Sequence, residues 1–224
     1  AERRERDRFD AWCDHLLLID GESDEPEVER GVVGVYRLLR RMRAKAGIGF
    51  YGASEYDLSL LEDYPRETLE LGRSCVDARH RGGAGMHLIW AGLGQYVGEH
   101  DIVIMFGVAS FHGTDPAAFA QALSYLHHHH LAPPDLRVTA RPDSRAEMNL
   151  LPPDQVDKAE AMRQMPALIK AYIRLGGFVG EGAWIDHAFN TVDVCLLLDT
   201  SRMVERYHKF YSRQRGAEAD RILG

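Results

Sequence analysis

Two apolar runs, "HLLLID" at residues 15–20 and "GVVGVYRLL" at 31–39, flank the acidic stretch "GESDEPEVER". That pattern predicts two strands joined as a hairpin by a polar loop. "RRMRAKAGIGFY" reads as a short basic helix or loop, and "ETLELGRSCV" at 67–76 predicts a third strand leading into the glycine-rich "RHRGGAG". In "MHLIWAGLGQYVGEH", residues Leu88, Trp90, Leu93, Tyr96 and Val97 recur at helical spacing. A buried strand, "IVIMFGVAS" at 102–110, precedes a helix started by Asp115-Pro116 and striped by Phe119, Leu123 and Leu126. Residues 141–165 are polar and read as a surface excursion with one short helix. "PALIKAYIRLGG" predicts an amphipathic helix stopped by glycine, and "VDVCLLLD" at 192–199 a buried strand. Strands interleaved with helices indicate one α/β domain with a mixed sheet.

Composition narrows the function classes. The chain has 224 residues, 45% of them hydrophobic, which suffices for one sizeable core. Its formal net charge of −7 argues against a nucleic-acid binder, which needs a clustered basic surplus. Three scattered cysteines, Cys13, Cys75 and Cys195, fit cytosolic thiols better than a disulfide framework. No apolar run approaches the ~20 residues that span a bilayer, so membrane contact is expected only peripherally, at the inner membrane. The first residues, "AERRERDRFD", lack Met and lie close to a patterned element, as a truncated chain would.

Four consecutive histidines, His127 to His130, end the helix that begins near Asp115. Adjacent helical residues point about 100° apart, so the four cannot converge on one ion. Only His127 and His130 can share a face, and no carboxylate at the right spacing completes a site. They are read as structural or acid–base histidines, and no metal is expected.

The stretch "LELGRSCVDARHRGGAGMHLIWAGL" concentrates the candidate chemistry. A strand carrying Glu70 and Arg73 runs through a basic glycine-rich turn into a helix. Free amides at that helix start, with Gly82, Gly83 and Gly85 permitting close approach and Arg79 and Arg81 supplying charge, make a phosphate cradle. Arg79-x-x-Gly82-x-Ala84 also fits the loop by which GNAT-superfamily acyltransferases hold the pantetheine arm of a thioester donor. A glycine-rich loop without a ligand is the competing reading.

The segments "FDAWCDHLLLID", "GVYRLLR", "FYGASEYDLS", "LELGRSCV", "FGVASFHGTDP", "LSYLHH" and "PALIKAYIRLGGFVGEGAWIDHAFNTVDVCLLL" resemble the ornithine N-acyltransferases of bacterial ornithine-lipid synthesis, relatives of the acyl-homoserine-lactone synthases. The resemblance implies a GNAT-like mixed sheet flanked by helices, a single acyltransferase domain over 1–224, and the loss of an N-terminal strand and helix. It implies transfer of a 3-hydroxyacyl chain from acyl carrier protein to the α-amine of ornithine. It also implies no resident cofactor, because 4'-phosphopantetheine would arrive on the carrier. The skeleton shared with the lactone synthases maps onto Asp10, Asp14, Arg37, Glu70 and Arg73, although their Arg is followed by Phe where this chain has Ser74.

Within that reading Glu70 is the candidate base, and Arg73, three residues on along an ideal strand, points to the opposite face. Backbone amides near Val108 to Ser110 would hold the oxyanion. A second cation on ornithine calls for carboxylates, with Asp10, Asp14, Asp57, Asp186 and Asp193 as candidates beside Arg37 and Asn190; His112 and His187 are spare acid–base groups. Arg40, Arg41, Arg43 and Lys45 suit docking of an acidic carrier, with a solvated charged face as the competing reading. The rival functions are acylation of another amine such as glutamine, synthesis of a homoserine-lactone signal, or a non-catalytic acyl-carrier or lipid-binding module.

Overall fold

A computed structural model describes residues 6–21, 31–81 and 84–201. An eight-stranded sheet forms its centre. Strands β1 (Asp14–Ile19), β2 (Val32–Arg40), β4 (Glu67–Val76), β5 (Ile102–His112), β10 (Thr191–Asp199), β9 (Ala183–Asp186) and β7 (Arg145–Ala146) follow in that order, and β8 (Phe178–Val179) also pairs with β10. Among the strands named, every ladder of this sheet is antiparallel except β4 with β5. A two-residue ladder joins β3 (Tyr56–Asp57) to β6 (Thr139–Ala140). The helices are α1 (Arg41–Arg43), α2 (Ser59–Glu62), α3 (Ala84–Glu99), α4 (Ala120–His130), α5 (Lys158–Gln164) and α6 (Ala167–Arg174). Among the described residues no helix is long and apolar enough to cross a membrane.

Two cores lie on opposite faces of the sheet, which explains the unbroken apolar runs in its central strands. Tyr36, Leu38, Leu69, Leu71, Met105, Ala109, Val192, Val194, Leu196 and Leu198 face α3, α4 and α6. The other face carries Leu39, Ile104, Phe106, Cys195 and Leu197, covered by the segments around Phe50 to Leu61 and Ala132 to Ala140. Period-2 alternation therefore puts Arg37, Glu70, Ser110, His112, Thr191 and Asp193 on this second face, away from the helices.

Several expectations change in detail. The inward stripe of α3 is Ile89, Leu93 and Val97, at i, i+4 and i+8, while Leu88 is 58% exposed. Asp115 accepts from Ala117 N at 3.0 Å, but it caps a 3₁₀ turn, and α4 begins only at Ala120. The polar excursion is no mere surface loop: Met148, Ala161 and Met165 are buried, and Ser124 Oγ donates to Met148 O at 3.2 Å. The 22–30 loop of the expected hairpin lies outside the described residues.

One irregularity changes where a side chain points. Along β2 the pairing steps from Arg37 to Val35 while β4 steps from Gly72 to Cys75, so β4 carries one extra residue. Arg73 takes φ 51° there, a left-handed conformation that lets a bulge re-aim its side chain. A second irregularity lies on the other edge of β4. Its ladder with β5 ends at Glu70↔Phe106, whereas β5 continues to His112 and β4 to Val76. The two strands part beyond that pair.

Candidate functional site

The second face opens into a cavity of about 320 Å³ beyond the point where β4 and β5 part. Glu70 lies at its wall, 5% exposed. Its Oε2 accepts from Tyr51 N and its Oε1 from Gly52 N, both at 2.7 Å. Burial pushes the Glu70 carboxyl up, the two amides and Arg37 pull it back, and it settles at about 7. A carboxylate poised there suits proton transfer at neutral pH.

The turn that supplies those amides is built around a glycine. A Cβ on Gly52 would stand 3.1 Å from Glu70 Oε1 and 3.5 Å from Val108 Cγ2, so a methyl group must push the carboxylate aside. Gly52→Ala is expected to lower kcat about tenfold while leaving the fold intact, because a displaced base meets its proton at poorer geometry. Wild-type kcat with an unshifted pH profile in this variant would show that the carboxylate position is not critical.

Arg37 is buried behind Glu70 and donates to Asp7 at 2.7 Å and to Asp10 at 3.0 Å. Its guanidinium also lies over Tyr51, 5.3 Å from the ring centroid, and Arg73 lies over the same ring at 5.6 Å. Because Glu70 and Arg73 both reach Tyr51 and both line the cavity, the expectation of opposite faces fails. The bulge is the physical reason: the extra residue cancels the alternation that an ideal strand imposes.

Glu55 was not singled out in the sequence, since an isolated Glu after "GAS" carries no motif. Here it lines the cavity with Asp186 and Asp193. Burial, then the neighbouring charges of Asp193, Asp186 and Glu70, push it up to about 8. Burial likewise raises Asp193, with the nearby hydroxyls of Ser110 and Thr191 partly offsetting it. Tyr56, the residue after Glu55, donates its hydroxyl toward Asp193 O and Gly182 O, each at 3.0 Å, which fastens this loop to β10.

Other candidates lie elsewhere. Asp10 pairs with Arg37, and Asp14 accepts from Tyr96 Oη at 2.6 Å and pairs with Arg40 and Arg43. Asp57 is exposed and accepts from Ser59 N at 3.0 Å, as a helix cap does. Asn190 is exposed at φ 56° between β9 and β10, where a left-handed residue turns the chain. His112 lines the cavity, whereas His187 is exposed on that same turn. Cys13 reaches the cavity too, but burial raises its thiol to about 11, which disfavours the thiolate.

The glycine-rich turn is described in part. Gly82 and Gly83 lie outside the described residues, and Gly85 sits in the first turn of α3, where a Cβ would come within 2.9 Å of His80 O. Arg79 is mostly exposed and bonds Asp77 at 3.1 Å, while Arg81 donates to Val76 O at 2.8 Å. In the basic stretch, Arg40 meets Asp14 at 3.7 Å, Arg41 meets Glu67 at 3.8 Å, Arg43 meets Asp14 at 3.3 Å and Lys45 meets Asp63 at 3.2 Å. Every cation of that stretch thus has an acidic partner, and Arg43 and Lys45 are the more exposed of the four.

The histidine run forms the last turn of α4, as expected. His128 Nε2 lies 2.9 Å from Leu151 O, and Tyr125 packs on the rings of His129 and His130. Burial lowers His127 and His130. The run serves packing here.

Comparison with known proteins adds a consistent picture. Residues 1–91 match a family model described as an acetyltransferase (GNAT) domain. Over 213 residues the chain is 55% identical to an L-ornithine N(alpha)-acyltransferase of Rhodobacter capsulatus, spanning 95% of this chain and 81% of that protein. Proteins of the same name from Brucella abortus and Agrobacterium fabrum are 44% and 45% identical, across 100% of this chain and 78% and 76% of their own lengths. Among solved structures, a CoA-dependent acyl-homoserine lactone synthase with SAM and isopentyl-CoA superposes with a TM-score of 0.44 at 12% identity, over 92% of this chain and 68% of that one.

Proposed function

Because the chain belongs to the L-ornithine N(alpha)-acyltransferase family, we propose that it moves a 3-hydroxyacyl group from the thioester of an acyl carrier protein to the α-amine of ornithine, giving a lyso-ornithine lipid. The observation that carries the chemistry is Glu70, a buried carboxyl held near 7 at the wall of a cavity sized for an amino acid.

The reaction follows from that placement. The α-ammonium gives a proton to Glu70, directly or through one water, and the freed nitrogen attacks the thioester carbonyl. The tetrahedral oxyanion takes hydrogen bonds from backbone amides on the unpaired edge of β5 near Val108 and Ser110, both of which line the cavity. The attacking nitrogen gives up its second proton to the leaving thiolate as the C–S bond breaks, which leaves a neutral amide and a thiol, and the proton held on Glu70 passes to solvent. Nothing in these steps calls for a bound metal.

The donor's pantetheine arm is assigned to the gap between β4 and β5, with its phosphate toward the start of α3 and Arg79 and Arg81. Arg37 and Arg73 face the substrate carboxylate or carbonyl, and Arg43 and Lys45 keep a part in docking the acidic carrier. The direct test incubates purified protein with ornithine and 3-hydroxyacyl carrier protein and follows the product by mass spectrometry. An N-acylated ornithine is expected. Acylation of glutamine or of a homoserine-lactone precursor in its place would redirect the assignment to another amine.

A further inference from the structure

Three carboxylates at the cavity, Glu55, Asp186 and Asp193, have no part in the proton transfer just described. Each offers an oxygen within 4.8 Å of the other two. Glu55 and Asp193 are 7% and 4% exposed, yet among the described residues one oxygen of each, Glu55 Oε2 and Asp193 Oδ1, has no hydrogen-bond partner, although the hydroxyls of Ser110 and Thr191 stand near Asp193. Buried acceptors are rarely left unmade, because each such vacancy costs stability. A fold that keeps two such carboxylates together at one cavity is suited to receive a donor there.

The sheet order separates this acidic corner from the cationic one. Arg37 and Arg73 come from β2 and β4 on one side of β5, whereas Asp193 and Asp186 come from β10 and β9 on the other. Glu70 stands between them, since it feels the charge of Arg37 and in turn raises Glu55. An amino acid with its α-amine at Glu70 therefore extends its side chain toward carboxylates.

We propose that Glu55, Asp186 and Asp193 bind the side-chain ammonium of the acceptor amino acid, and so select a substrate with a terminal cation. This rests on the reading that ornithine is the acceptor. An ammonium offers three N–H donors, and three oxygens about 2.8 Å from its nitrogen stand about 4.6 Å apart. Octahedral Mg²⁺, with bonds of about 2.1 Å, needs neighbouring oxygens about 3 Å apart. Oxygens that all lie within 4.8 Å of one another leave room for the ammonium cage, and the chelator arm of the test below separates it from a metal ion.

The test compares ornithine with norvaline, which has the same carbon chain and no terminal amine. Wild type is expected to prefer ornithine by about 10⁴-fold in kcat/KM, as sites built for a buried polar partner do. Glu55→Gln and Asp193→Asn should each raise the KM for ornithine and lower the ornithine-to-norvaline ratio of kcat/KM about 10–100-fold, as loss of a charge-assisted bond predicts. An unchanged ornithine-to-norvaline ratio in folded variants overturns the assignment. A wild type that shows no ornithine preference overturns instead the acceptor reading on which it stands.

A second measurement needs no variant. Glu55 is protonated at pH 7, so ammonium binding should expel a proton, which calorimetry in two buffers of different ionisation enthalpy detects. Norvaline, which shares the α-amine, should release fewer protons than ornithine. Equal release by both ligands, or an ornithine KM that shifts after dialysis against a chelator, counts against the ammonium and for a different occupant.

Discussion

Replacing Glu70 with Gln is expected to lower kcat by about 10²–10⁴-fold, the range for a lost general base. The wild-type profile should also carry the signature of this group. With the Glu70 pKa at about 7, kcat/KM should fall as pH drops below 7, because the base becomes protonated, and the residual activity of Glu70→Gln should lack that limb. Stability moves the other way. The folded pKa is raised above the ordinary carboxyl value, so the folded state binds an extra proton between about 4.5 and 7. This residue's burial cost is present above pH 7 and is relieved as pH falls. Gln also presents an amide NH₂ to one of the two N–H donors at Tyr51 and Gly52, which costs about 1–3 kcal/mol. Circular dichroism first establishes that the variant is folded; wild-type turnover in that folded protein would remove Glu70 from the mechanism.

Gly107→Ala is expected to be the most damaging single methyl group. An added Cβ would lie 2.3 Å from Leu71 O and 3.3 Å from Leu71 C. The obstacle is backbone, so no side chain can rotate away. Relief requires β4 and β5 to separate beside their last laddered pair, Glu70↔Phe106, where the cavity begins. The cost should exceed about 3 kcal/mol, as for other overpacked cores, and lower Tm by roughly 10 °C in a chain of this size. Gly94→Ala in α3 is the control, with nothing among the described residues within 4 Å of the added carbon. It should be neutral or stabilising by up to about 1 kcal/mol. Matching melting curves for the two variants would mean that the strand contact is looser than its geometry implies.

The strands and helices were legible because their cause is local. Alternation in "ETLELG", the apolar run "VDVCLLL" and the Asp115-Pro116 start each act over a few residues, and β4, β10 and the turn entering α4 lie where those signals put them. The exposure of Leu88 has an equally physical reason: helical spacing gives a stripe, but only the packed sheet decides which stripe faces inward. Glu70 is legible in the sequence too, since a charge inside an apolar strand needs a compensating partner.

What the sequence could not supply is convergence. Glu55, Asp186 and Asp193 lie on separate segments, and they meet only because β9 and β10 turn back at Asn190 while Tyr56 ties its loop to Asp193. Neither contact leaves a short-range pattern. Conversely, Asp14, Asp57 and Asn190 have chemistry that suits a site, yet the fold engages them with Tyr96, in a helix cap and in a turn. The bulge at Arg73 shows the same limit most sharply. Period 2 determines which face a strand residue takes only while the ladder is regular, and regularity belongs to the pairing of β2 with β4, so one extra residue in that pairing brought Arg73 to the site.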